Sequence, residues 1–178
     1  MGKLLRAIKI IFRVLLAVLV GGLLVYNVYT MVARSFFGIG MPKLFGYAGA
    51  TVASGSMADT INTGDFIIIR EEEEYAVGDI ITFYDDIKLS YTTHRIIAVS
   101  DGEYYTKGDA NNAQDEFGVP YAAVVGKVVG VWRGFGFFVS FLQSPLGLFA
   151  VAACGIVLWL VPEIVTEVIR KTKNGKET

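Results

Sequence analysis

The chain has 178 residues, 53% of them apolar, and a net charge of −1. That length allows one modest domain, and the apolar share is high for a soluble one, so membrane segments are sought first. Fourteen of the seventeen acids lie between Asp59 and Glu116, among only four basic residues (Arg70, Lys88, Arg95 and Lys107), so nucleic acid is not an expected partner. A single cysteine, Cys154, excludes an intrachain disulfide and a thiol pair for a metal; a single histidine, His94, excludes a multi-histidine metal site. No cofactor is expected.

From Val14 to Ala33 no residue is charged, and these twenty residues at about 1.5 Å rise give roughly 30 Å, the thickness of a bilayer core. The basic leader (Lys3, Arg6, Lys9, Arg13) fits a cleavable signal. The apolar stretch is longer than a typical signal core, however, and no small-x-small site closes it, so an uncleaved anchor is expected. A second charge-free run covers 134–162, and its most apolar part, "PLGLFAVAACGIVLWLV", begins at Pro145 after Ser144, a residue suited to cap a helix. It reads as a second span; a buried or interfacial hairpin is the alternative, because Gln143, Ser144 and Pro145 interrupt the run. Arg170, Lys171, Lys173 and Lys176 follow it, so the positive-inside rule puts both tails in the cytoplasm and residues from about 36 to 133 on the opposite side. Arg34 and Lys43, on the outer side of the first span, run against this count.

Between the spans, "DFIIIR" (65–70), "DIITFY" (79–84), "HRIIAV" (94–99), "EYYT" (103–106) and "AVVGKVVGVW" (123–132) each read as a strand. Gly-Asp recurs at 64–65, 78–79 and 108–109 as a turn signal, and Asp101-Gly102 predicts a tight hairpin. No helical pattern of convincing length occurs there. "EEEE" (71–74) is read as a solvated turn, and the aromatic, Gly-rich segments 36–50 and 134–142 suit a membrane surface. The expected organisation is a basic tail and anchor (1–35), a β-domain outside the cytoplasm (36–133), an interfacial segment with the second transmembrane helix (134–169), and a basic tail (170–178).

The chemistry-bearing residues are few. A serine hydroxyl attacks only when a base removes its proton, and imidazole suits that task because its pKa lies near neutrality. Ser56 in "SGSM" is the candidate nucleophile, His94 is the one imidazole, and Asp109 and Asp115 in "KGDANNAQDE" are acids able to hold its second nitrogen. Each signal is weak alone: a Gly-Ser turn, a histidine beside an arginine and a Gly-Asp turn are commonly structural.

Taken in order, "SGSM", "GD" with an apolar strand, "HRI" and "KGDANN" with a further acid resemble the type I signal peptidases of the endoplasmic-reticulum and archaeal type, over about Val52 to Val131 and the flanking spans. The resemblance implies a mainly β, signal-peptidase-like domain on the outer side of the membrane, flanked by an N-terminal and a C-terminal transmembrane helix. It also implies a membrane-bound serine endopeptidase that removes signal peptides from exported pre-proteins after small residues. Ser56 matches the family nucleophile and Ser54 the oxyanion donor; Gly55 leaves room for the substrate, and Met57 has either a substrate-contact or a core role. His94 matches the histidine that replaces the lysine base of the ordinary bacterial enzymes. Asp115 is preferred as the histidine's partner, with Asp109 in a supporting role. Implied partners are signal peptides and the lipid bilayer, with secretion machinery as a further candidate. The family commonly has proline where this chain has Asp59, a departure that bears on loop rigidity more than on the nucleophile. Two other readings stand beside this one: a Ser/Lys-type regulatory protease of the same superfamily, and a non-catalytic membrane-anchored β-module.

Overall fold

The computed structural model describes residues 2–174, so Lys176 and the end of the basic tail lie outside the described residues. The chain forms two compact units: a helical one, up to Val32 and from Phe141 onward, and a β unit, Ala33–Ser140.

The helical unit rests on α1 (Gly2–Phe37) and α3 (Pro145–Asn174), preceded by the short α2 (Gly136–Gln143). Gly38, at φ 65°, ends α1 in the left-handed conformation that glycine adopts without strain. At the start of α3, Pro145 stands in the first helical position and the Ser144 hydroxyl accepts the Gly147 N–H at 3.0 Å. Gly147 itself is required, since a Cβ there would overlap the Phe141 carbonyl. Residues Arg6–Phe37 and Pro145–Val168 are each long and apolar enough to cross a membrane. The two helices run antiparallel, because Lys9 Nζ donates to Thr166 Oγ1 at 2.9 Å and Arg13 Nη1 to Glu163 Oε1 at 3.1 Å. The Arg13 guanidinium also lies 5.2 Å from the centre of the Trp159 ring, a cation–π distance.

The β unit is a seven-stranded sheet in which every pairing is antiparallel. In chain order its strands are β1 (Tyr47–Thr51), β2 (Phe66–Arg70), β3 (Ile80–Asp85), β4 (Ser90–Ser100), β5 (Glu103–Lys107), β6 (Val119–Pro120) and β7 (Val124–Trp132). Their order across the sheet is β1-β2-β7-β3-β4-β5-β6, so the last strand inserts between the second and the third. Where β7 meets β2 and again where it meets β3 the register slips, and such bulges bend and coil a strand. One face buries Ile67 and Ile69 of β2 with Met57, Ile61 and Val125; beside it Ile81, Phe83, Ile96 and Tyr104 form a second cluster.

The five expected strands are present within a residue or two at most ends, but β4 starts earlier, at Ser90, and two strands went unread. The first is β1, "YAGAT", which overlaps the end of the segment read as a membrane-surface stretch; its Gly and Ala residues have low strand preference. Pairing with β2 holds it, and the Phe66 ring fills the space a side chain at Gly49 would occupy. The second, β6, is two residues long. The Asp101-Gly102 signal is realised: both residues have positive φ, 53° and 79°, and Ser100 pairs with Glu103 across a two-residue turn.

Candidate active site

Ser56 lies on the loop from 52 to 65, between β1 and β2. The base of this loop is closed by two backbone bonds, Val52 N–H to Asp65 C=O and Gly64 N–H to Val52 C=O, both 2.9 Å. Asp65 pins it further: its carboxylate accepts the Asn62 N–H at 2.9 Å and the Gly134 N–H at 2.8 Å, and these bonds lower its pKa. Met57, next to Ser56, is 2% exposed and packs in the core with Ile61, so the residue after the serine anchors the loop. The Ser54 and Ser56 hydroxyls are 3.4 Å apart. A Cβ at Gly55 would stand in open space.

Asp59 takes φ 71°, and its N–H meets Asn62 Oδ1 at 3.3 Å. Proline is fixed near −65°, so this turn excludes it, while aspartate tolerates the left-handed region better than most residues. At position 59 the backbone of this loop is therefore one that proline could not adopt.

His94 is on β4 opposite Ile81, 3% exposed, its ring steeply inclined to that of Phe83. Its Nδ1 is 2.6 Å from Asp115 Oδ2. A carboxylate accepts, so Nδ1 carries the proton, and Nε2 is the nitrogen left to act on a neighbour. Asp109 has other partners. Arg95 grips it with two bonds, Nε to Oδ1 at 2.9 Å and Nη2 to Oδ2 at 2.6 Å, and the Thr60 hydroxyl donates to Oδ2 at 2.6 Å. The hydrogen bonds from Arg95 hold the Asp109 carboxyl below its ordinary pKa against the cost of burial, with Thr60 adding to the effect. The two acids separate because side chains alternate along a strand: His94 faces the buried side of β4, and Arg95 the other.

Asp109 also ties the acid-bearing loop to the serine loop. Its N–H points at Met57 Sδ, 3.3 Å away, and the next N–H, of Ala110, donates to the Ser56 carbonyl at 2.9 Å. This approach depends on Gly108, where a Cβ would come within 2.5 Å of the Ser56 carbonyl oxygen.

Ser54, Ser56, His94 and Asn111 line one cleft of about 540 Å³, whose apolar wall includes Val52 and Ile67. Ser56 Oγ has Ser54 Oγ as its hydrogen-bond partner, and His94 lies in the same cleft, its Nδ1 taken by Asp115. Lys88 reaches the rim, with its side chain 56% exposed and 3.0 Å from Asp85. That is not the desolvated setting a lysine base requires. Among the described residues no group of three His, Cys, Asp or Glu side chains is placed to hold a metal. Sequence reading missed Thr60, Arg95 and Thr106; strand alternation around His94 and within "EYYTK" was the available signal for the last two.

No family model matches the chain. It is 35% identical over 114 residues to signal peptidase I W of Bacillus subtilis (strain 168), a match covering 60% of this chain and 58% of that protein, so the chain spans less than two thirds of the relative's length. Over the matched part the chain is similar to that signal peptidase I, and it has a seven-stranded antiparallel sheet and two helices long and apolar enough to cross a membrane.

Proposed function

We propose that the protein is a membrane-bound serine endopeptidase that cleaves signal peptides from exported pre-proteins, with Ser56 as nucleophile, His94 as general base and Asp115 as the acid that holds the base. The observation that carries this reading is the single cleft shared by Ser54, Ser56 and His94, with His94 Nδ1 bonded to Asp115.

In the acylation step, His94 Nε2 takes the proton of Ser56 as Oγ attacks the scissile carbonyl carbon. The imidazolium so formed is stabilised by Asp115. Negative charge develops on the carbonyl oxygen, toward which the Ser54 O–H and the Ser56 N–H donate; removing one such donor typically costs about 3 kcal/mol. Collapse breaks the C–N bond, and His94 returns its proton to the leaving amine. Water then attacks the acyl-enzyme, with His94 again as base, and releases the new carboxylate and free Ser56.

The substrate lies extended along the sheet, where its backbone bonds to the protein and small side chains at the first and third positions before the cut fit the cleft. Both tails lie in the cytoplasm and the β unit outside it. The bonds of Lys9 to Thr166 and Arg13 to Glu163 support placing both tails on one side, because they bring the N-terminal end of α1 beside the C-terminal part of α3; the basic residues of the tails support the cytoplasmic side. The histidine base aligns the chain with the endoplasmic-reticulum and archaeal type.

A serine-reactive acylating probe on the full chain tests the assignment. Ser56-dependent labelling that requires His94 is expected. Equal labelling of wild type and Ser56→Ala would instead favour a non-catalytic binding module, and labelling that survives His94→Ala but is lost in Lys88→Ala would favour a Ser/Lys dyad.

A further inference from the structure

Thr106 is the polar side chain whose place the proposed chemistry leaves unexplained. It is fully buried, at 0% exposure, on the same face of β5 as the buried Tyr104. Burying a hydroxyl costs free energy unless it is hydrogen-bonded, and valine would fit a strand interior equally well in shape. Its hydroxyl donates to Asp115 Oδ2 at 2.6 Å, the same oxygen that His94 Nδ1 approaches at 2.6 Å. Its backbone carbonyl accepts the Asp115 N–H at 2.9 Å. Two bonds thus close the loop from 107 to 114 and return Asp115 to the end of β5.

We infer that Thr106 is a positioning residue of the active site, a fourth member that fixes the Asp115 carboxylate and sets the charge it presents to His94. The inference rests on the proposed Ser/His/Asp reading and extends it. The backbone bond places the acid, and the hydroxyl bond chooses which oxygen faces the imidazole and takes up part of its charge. Both donors meet the same oxygen, Oδ2, so the hydroxyl and the imidazole share the charge on that atom.

The charged surroundings of His94 are few enough to make the effect legible. From β3 it meets the apolar Ile81 and Phe83, and its chain neighbour Arg95 faces the other side of β4. Asp109 is bonded to Arg95 rather than to His94. Lys88 stands at the rim of the shared cleft. On the far side of Asp115, the residues Asp85, Asp86, Lys88 and Glu116 line a separate cavity of about 340 Å³.

The test compares full-length wild type, Thr106→Val and Thr106→Ser in detergent, each titrated for active sites with the acylating probe, with Ser56→Ala and His94→Ala alongside. The readout is the pH profile of cleavage of a reporter pre-protein with alanine at the first and third positions before the cut. Thr106→Val should lower kcat per active site about ten-fold with KM little changed, as expected for losing one buried hydrogen bond to a charged group. Its acid limb should move to higher pH, and Thr106→Ser should restore both. A Thr106→Val profile that keeps the wild-type limb and kcat per active site, while Ser56→Ala and His94→Ala are inactive, overturns the role of Thr106 alone. Activity in Ser56→Ala or His94→Ala overturns the triad reading on which it rests. If Thr106→Val does not fold, Thr106→Ser and Thr106→Cys carry the comparison, since a thiol donates weakly and should reproduce the shift in part.

Discussion

His94 Nδ1 and Asp115 Oδ2 are 2.6 Å apart, while Asp109, six residues before Asp115 on the same loop, is bound by Arg95, the residue next to His94. One strand therefore sorts two similar acids by the alternation of its side chains. In the proposed mechanism Asp115→Asn should lower kcat by roughly 10³- to 10⁴-fold, because the amide holds the wrong tautomer and cannot stabilise an imidazolium. Asp109→Asn should cost less than about 100-fold, through the loop rather than the base. Steady-state cleavage rates of the two variants decide it; the reverse ranking would exchange the two roles.

The Asp109 carboxyl, held below its ordinary value of 3.8 mainly by hydrogen bonds from Arg95, links stability to pH. A carboxylate whose folded pKa is depressed contributes stability that is fully present above the unfolded value and lost as pH falls through the folded one. Below about pH 4 the wild type should lose this contribution progressively. Asp109→Asn should show a lower Tm near neutrality and a shallower decline in Tm on acidification. Thermal unfolding followed between about pH 2 and 7 checks both; parallel curves for the two proteins would contradict the linkage.

Asp59 sits at φ 71° two residues past Met57. Introducing proline there should not stiffen the loop but break it. Asp59→Pro is expected to destabilise by more than about 1 kcal/mol, while Asp59→Gly should be neutral or slightly stabilising, since glycine adopts positive φ without strain. Chemical unfolding midpoints measure this, and a stabilised Asp59→Pro would show that the turn adopts another conformation.

Gly108 lets the acid-bearing loop touch the carbonyl of Ser56. In Gly108→Ala the new methyl must push the two loops apart, breaking the Ala110 N–H bond and displacing the serine relative to the base. Since displacements of about 1 Å can cost 10²-fold in rate, activity should fall further than stability. Comparing kcat with the unfolding midpoint separates the two effects; equal, small losses would mean that the loops accommodate the methyl group.

The parts of this structure that sequence displays best are those set by local pattern. Apolar runs such as "DFIIIR" and the charge-free segment from Val14 to Ala33 announce their elements because burial in a sheet or a bilayer dictates composition directly. Strand β1 was hidden because its Ala-Gly-Ala centre has little strand preference of its own and depends on β2 and on the Phe66 ring. The gathering of Ser56, His94 and Asp115 was visible only as an ordered set of motifs, since their approach depends on pairings distant in sequence. Which acid faces the histidine was open for the same reason: the six-residue spacing between Asp109 and Asp115 does not encode a loop path, whereas the side of β4 on which Arg95 stands does. Thr106 looked like one more strand threonine, and its burial beside a carboxylate is a property of the packed sheet alone.

Cleavage of a reporter pre-protein by the full-length protein in membranes, measured for wild type and Ser56→Ala at equal amounts of inserted protein, tests the central claim most directly. The account predicts release of the mature protein after a small residue by the wild type and none above background by Ser56→Ala. Processing by Ser56→Ala at the wild-type rate would contradict it.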